Sequence, residues 1–367
     1  MLHWIITWIP FGVPQQRLSM LIALSLVFLA PGCQSMRHSA SVPRLENPLA
    51  AYASWGWTGF RRPAESSGHG LVPLRPYEPG KIPVVFIHGL LSTPGTWEEM
   101  TTALYSDQRI AEGYQFWVFQ YSTGTSFLES ANDLRQELRE VVSKLDPDGH
   151  DPALQQMVLV GHSMGGLLTK LLVSSSDNCL WDAISAEPFE YVSADEETKS
   201  EIEAVMFFEP LPFVRRAVYL ATPHRGSTWA DRSMGRFARS LIAFPDSVHS
   251  RYQKLMSNNS GLLRQSSQTI PTSLDHLKPN DPIMIALQGI TTSPDVAAHS
   301  IIGIGHSTNG HDGDGTVELT SARIEGTTSE LFIAAGHTKI HKTPQASAEV
   351  RMILHQHLHQ TDLTNAR

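Results

Sequence analysis

Ile82-Pro83-Val84-Val85-Phe86-Ile87 is apolar from end to end and stops abruptly at His88-Gly89. A run this short, with no alternation of polar residues, predicts a strand buried on both faces. Tyr114–Tyr121, Met157–Val160 and Ala217–Leu220 read the same way, as do the later stretches Ile283–Leu287, His299–Ile304 and Glu330–Ala335. Between them the period lengthens. Pro94–Leu104, the residues from Met164 to Val173 and Pro344–Leu358 predict helices. So does Ser130–Leu145, where Leu134, Leu138, Val141, Val142 and Leu145 recur at helical spacing. Strands that alternate with helices imply an α/β class: a mostly parallel sheet with helices on both faces.

Two stretches break this rhythm, 175–212 and 228–280, and are expected as cap insertions above one edge of the sheet. In the second, Trp229, Met234, Phe237, Leu241 and Ile242 make one apolar helical stripe, with Arg232, Arg236 and Arg239 mostly opposite. A packed cap, a mobile lid and a membrane-touching helix all fit that stripe. Residues 34–75 lack periodicity and read as a tether and irregular extension, leaving 76–360 as the main domain.

Composition adds three constraints. Of 367 residues 41% are hydrophobic and 17% charged, which suits a sizeable core. The formal net charge of −8 argues against a nucleic-acid partner, which needs a positive surface. The chain has only two cysteines, Cys33 and Cys179, so the fold does not depend on a disulfide framework. Residues 1–33 look like a targeting segment: Arg17 precedes an apolar run from Leu18 to Ala30, then small residues and Cys33. Cys33 stands where the lipobox of bacterial lipoproteins has its lipidated cysteine. The expectation is membrane attachment at the cell envelope, with an ordinary signal peptide or an anchor helix as the alternatives.

The sharpest local signal is Gly161-His162-Ser163-Met164-Gly165, between a predicted strand and a predicted helix. A serine held on such a turn projects into the cleft above the sheet as a nucleophile, and bulk-free residues must flank it. A phosphate loop is the rival, since Gly161 to Gly166 matches its spacing. It fails at Leu167-Leu168, where lysine and serine or threonine are needed.

A serine needs a base, and the base needs an orienting acid. Asp314, in His311-Asp312-Gly313-Asp314-Gly315-Thr316-Val317, and His337, after the next strand, stand in the required order at strand ends. Asp312 and His341 are their competitors. An oxyanion would be met by the amides of Met164, after the nucleophile, and Leu90, in the loop after the first buried strand. His88, Gly89 and His162 flank these groups and are candidates for contact with substrate. No cofactor is implied and no metal site stands out. An EF-hand loop from Asp312 fails at Val317 and Arg323, and His355, His357 and His359 read as a solvated helix surface.

The set "VVFIHGLL", "LVGHSMGG", "ATPHRGS", "DGDGTV" and "AAGHTKIH" resembles the α/β-hydrolase fold, and within it bacterial triacylglycerol lipases and esterases. The Asp-Gly-x-x-Val form also resembles the lecithin–cholesterol acyltransferase group. The resemblance implies a serine hydrolase acting on an ester or lipid substrate through Ser163, Asp314 and His337, with "TPHRGS" helping to shape the cleft. Acyl transfer, phospholipase or amide cleavage by the same triad, and a non-catalytic binding protein on this scaffold, remain open at this level.

Overall fold

The computed structural model describes residues 70–231, 240, 242–264, 270–308 and 310–365. After β1 (Gly70–Pro73) and β2 (Ile82–Ile87) come a 3-10 turn at Pro94–Trp97, α1 (Glu98–Tyr105), α2 (Gln108–Gly113), β3 (Tyr114–Gln120), α3 (Phe127–Leu145), β4 (Met157–His162) and α4 (Met164–Leu172). The second half holds α5 (Cys179–Ile184), α6 (Glu196–Met206), β5 (Val214–Leu220), α7 (Asp246–Asn258), α8 (Ser273–His276) and α9 (Pro282–Gly289). It ends with β6 (Ala297–Ile304), a hairpin of β7 (His306–Thr308) and β8 (His311–Gly313), α10 (Leu319–Ala322), β9 (Ser329–Ala334) and α11 (Pro344–Asn365).

Seven strands form one sheet in the order β1-β3-β2-β4-β5-β6-β9. All neighbours run parallel except β1, which pairs antiparallel with β3 at the edge. The unbroken apolar run of β2 follows from this position. Val85 and Ile87 enter the core shared with α3 and α4, through Leu134, Leu138 and Leu168. Val84 and Phe86 enter the opposite core with Trp97, Met100, Ile353 and Leu354. Successive side chains on a strand point to opposite faces, so a central strand covered twice has no polar position to spare.

Three expectations change. Ile283–Leu287 is helix α9, not a strand: Asp281 caps it by accepting from the amides of Ile283 and Met284, and Pro282 opens its first turn. Gly70–Pro73, read as part of the tether, is β1 and belongs to the sheet; the Leu71 amide donates to Glu137 Oε2 on α3 at 2.6 Å. The first insertion, 175–212, does not leave from the carboxyl end of a strand. It departs at the foot of α4 and returns at the amino end of β5, where the Leu211 amide bonds the Leu172 carbonyl at 2.8 Å. It packs into the main core through Leu180, Trp181, Ile202, Val205 and Phe208.

The second insertion leaves the carboxyl end of β5 and joins the first. The Arg264 amide donates to the Ile184 carbonyl at 2.8 Å, and the Ser193 amide to Asn259 Oδ1 at 2.8 Å. Met234, Phe237 and Leu241 of the predicted stripe lie outside the described residues, as do Cys33 and the leader. Cys179 is a free, half-buried thiol. Among the described residues no helix is long and apolar enough to cross a membrane.

Candidate active site

Ser163 occupies the single residue between β4 and α4, with φ 54° and ψ −124°. L-residues avoid that region, so the surroundings must impose it. They do so by leaving no room for side chains on either flank. A Cβ on Gly161 would lie 2.4 Å from the Gly165 carbonyl oxygen, and one on Gly165 would lie 2.2 Å from that of Ile87. The Ser163 amide donates to the Leu220 carbonyl at 2.8 Å, which ties the turn to the end of β5.

His337 follows β9 and reaches Ser163 across the carboxyl edge of the sheet. Its Nε2 is 2.8 Å from Ser163 Oγ and its Nδ1 is 2.7 Å from Asp314 Oδ2. The other carboxylate oxygen, Oδ1, accepts from the amides of Thr316 at 2.9 Å and Val317 at 2.7 Å. Asp314 is buried, and both of its carboxylate oxygens accept hydrogen bonds. Room for it comes from Gly303 on β6, where a Cβ would stand 2.6 Å from that of Asp314. Asp312 instead shapes the hairpin, where its Oδ1 accepts from the amides of Gly305 at 2.9 Å and Gly313 at 2.8 Å.

The segment Thr222–Ser227 braces the acid's loop. Arg225 Nη1 donates to the carbonyls of Thr320 at 2.7 Å and Arg323 at 2.5 Å. Ser227 Oγ donates to the Thr316 carbonyl at 2.6 Å, and Ser321 Oγ returns a bond to the Gly226 carbonyl at 2.6 Å. A motif expected to shape the cleft therefore does so by fixing Thr316, two residues beyond Asp314.

Behind His337 lies a packed histidine cluster whose extent the sequence did not reveal. The His162 ring is 5.1 Å from that of His337 and 4.2 Å from that of His341, centroid to centroid. His162 Nε2 donates to the His337 carbonyl at 2.9 Å, which places a proton on Nε2. Burial, with the neighbouring histidines adding to it, holds its pKa well below the usual imidazole value. His341 bonds Thr96 Oγ1 at 2.5 Å, and burial pushes its pKa down to about 3. His341 is thus a buried support and not the histidine that meets Ser163; its place soon after His337 was the only signal for it. His88 stacks on Tyr121 at 4.4 Å, and the Tyr121 hydroxyl donates to the His88 carbonyl at 2.6 Å. That bond fixes the loop carrying Gly89, where a Cβ would stand 3.0 Å from that of Ser163. His88 and His162 are buried, so they support the cleft rather than line it.

Leu90 follows directly in this loop. The next two amides are engaged, Leu91 with Thr123 Oγ1 at 3.3 Å and Ser92 with the Gly89 carbonyl at 3.2 Å. Met164 is the first residue of α4, where amides have no acceptor within the helix. Among the described residues no group of three or more histidines, cysteines and carboxylates is arranged to hold a metal ion. The C-terminal histidines correct the sequence reading in part: His357 is buried, with Nδ1 3.0 Å from the Tyr114 hydroxyl, and His355 Nε2 is 2.9 Å from Asp107 Oδ2.

A family model described as the alpha/beta hydrolase family matches residues 84–350, and the chain belongs to that family. The seven-stranded, mostly parallel sheet is the fold of that family. No curated protein matches the chain. Among solved structures it is similar to the Bacillus licheniformis lipase BlEst2 in its propeptide form, with 16% identity and a TM-score of 0.46, covering 78% of this chain and 54% of that one. The chain thus spans about half the length of that lipase form. It is similar also to the phospholipase PlaB from Legionella pneumophila, with 13% identity and a TM-score of 0.43, covering 74% of this chain and 57% of that one. An esterase, EaEST from Exiguobacterium antarcticum, matches with 14% identity and a TM-score of 0.40, covering 78% and 93%. These likenesses are too distant to carry a substrate across.

Proposed function

We propose that the protein hydrolyses carboxylic esters, in the manner of a lipase or esterase, through an acyl-enzyme on Ser163. The observation that carries this reading is the continuous relay from Ser163 Oγ through His337 to Asp314, at 2.8 and 2.7 Å. Ser163 attacks the ester carbonyl while His337 Nε2 takes its proton. The tetrahedral oxyanion meets the amides of Met164 and Leu90, and losing one such donor costs about 3–4 kcal/mol of transition-state stabilisation. His337 then gives its proton to the leaving alcohol. In the second half it deprotonates water, which attacks the acyl carbonyl, and the proton returns to Ser163 as the acid leaves. Asp314 holds the ring and stabilises its charged form throughout. The buried, neutral His162 sits behind His337 without adding a second charge to it. An acyl or otherwise lipophilic substrate is the class that the apolar stripe of the second insertion supports.

The test is hydrolysis of p-nitrophenyl esters of increasing acyl length, wild type beside Ser163→Ala. Turnover lost in the variant establishes the nucleophile, and the preferred length separates esterase from lipase. A folded wild type inactive at every length overturns the reading. The leader ending at Cys33 supports an envelope-anchored location, checked by lipid labelling that Cys33→Ser abolishes.

A further inference from the structure

The amino end of the sheet, opposite Ser163, carries a second polar site. A cavity of about 530 Å³ opens there, lined by Arg215, Arg216, Gln156, Thr292, His357 and Gln360 among others. Arg216 is only 4% exposed. Its Nη1 donates to His299 Nε2 at 3.0 Å and its Nη2 to Gln360 Oε1, while its Nε is buried with no partner. His299 accepts that bond, so its proton is on Nδ1, facing Ser329 Oγ at 2.8 Å, and the ring is neutral. Burial and the adjacent Arg216 push His299 down to about 4, and burial first of all pushes His357 to about 3. The standing cations are therefore the two arginines. No carboxylate among the described residues is in ion-pair contact with either, and the one acid on the lining is the exposed Asp295.

A guanidinium this buried is rare without a counter-charge, because desolvation is costly and neutral acceptors offset it only in part. Arg215 and Arg216 are neighbours at the start of β5, and both line this cavity. Two guanidinium groups on one lining supply the positive charge and N–H donors that a phosphate ester accepts. The volume exceeds that of a bare phosphate and falls in the range of small-molecule sites, about 300–1,000 Å³. We propose that this cavity binds a phosphate ester, with Arg216 and Arg215 holding the phosphate and the space beside Thr292 and Gln360 taking the organic part. Such a group arrives either on a soluble metabolite or on a lipid head.

The experiment is calorimetric titration of the full chain with inorganic phosphate and with glycerol 3-phosphate, beside sedimentation with phosphatidylglycerol vesicles. The expected result is one glycerol 3-phosphate per chain, with at least tenfold weaker binding in Arg215→Gln and in Arg216→Lys. Ser163→Ala should bind as wild type does, which separates this site from the ester chemistry. Arg215→Gln removes a half-buried side chain with no partner, so it tests the site even if Arg216 variants fold poorly. Vesicle binding that is lost in Arg215→Gln and competed by glycerol 3-phosphate assigns the lipid source. Binding of the soluble ester without vesicle binding assigns a metabolite. A wild type that binds none of the three probes, or binding that survives both arginine variants, overturns the proposal.

Discussion

Thr222 lies directly against the bare backbone of Gly166: a Cβ on that glycine would stand 1.8 Å from Thr222 Oγ1. The contact joins the first turn of α4 to the loop after β5 and so helps fix the turn that holds Ser163. Gly166→Ala is expected to destabilise the protein by about 2–4 kcal/mol through overpacking. Thr222→Gly should restore part of that loss, because the clash is with a side chain. Gly165→Ala should have no such rescue, since its clash is with the Ile87 and His88 carbonyls. Urea unfolding of the single and double variants measures the coupling; purely additive effects would contradict the contact.

Ser163 holds a backbone conformation that glycine tolerates far better. Ser163→Ala and Ser163→Gly should both lose turnover, by about a million-fold or to the detection limit. Their stabilities should differ. The glycine variant is expected to be about 1 kcal/mol more stable than the alanine variant, since relief of strained backbone is worth about 1–3 kcal/mol. Equal unfolding midpoints would show that the turn is not strained.

Asp314 and Asp312 separate cleanly by substitution. Asp314→Asn keeps the shape but removes the charge that stabilises the His337 imidazolium and fixes its tautomer, so kcat should fall by about 10⁴-fold. Asp312→Asn should leave kcat within a few-fold, because its Oδ1 only accepts from two hairpin amides. Steady-state kinetics on both variants decides between them; an inverted order would reassign the acid.

The grouping of Ser163, His337 and Asp314 was legible because its parts are punctuated locally. A glycine-flanked serine after an apolar strand, and an acid and a histidine each following a strand, are short-range signals that survive without three-dimensional information. The choice of Asp314 over Asp312 rested on Val317 leading back into buried structure, and Val317 is buried, with its amide bonded to Asp314. Ile283–Leu287 was misread because a five-residue apolar run has no period to inspect; Asp281-Pro282 was the cap signal that outweighed it. β1 escaped notice because an edge strand of four residues carries too few side chains to show alternation. The support given by His162 and His341 depends on the end of β4 meeting the turn at Ile340–Lys342, which no spacing within one segment encodes. His224 and His299 were likewise invisible as a buried set.

Five of the buried histidines should make the fold acid-sensitive. Burial holds His162 and His224 well below the usual value and pushes His299 to about 4 and His341 and His357 to about 3. In the unfolded chain each titrates near 6.5. Below that pH the unfolded state takes up protons that the folded state refuses, so stability is complete above about 6.5 and falls as pH drops towards the folded values. Each histidine contributes a slope of about 1.4 kcal/mol per pH unit, and five together approach about 7 kcal/mol per unit. Against a total stability of about 5–15 kcal/mol, acidification below pH 6.5 is therefore expected to destabilise the fold strongly. Urea unfolding at pH 7.5, 6.5 and 5.5 should show midpoints dropping steeply over the last interval. His341→Gln should flatten the slope by one proton while weakening the support behind His337. A midpoint unchanged between pH 7.5 and 5.5 would mean that these rings are protonated, and therefore hydrated, in the folded protein.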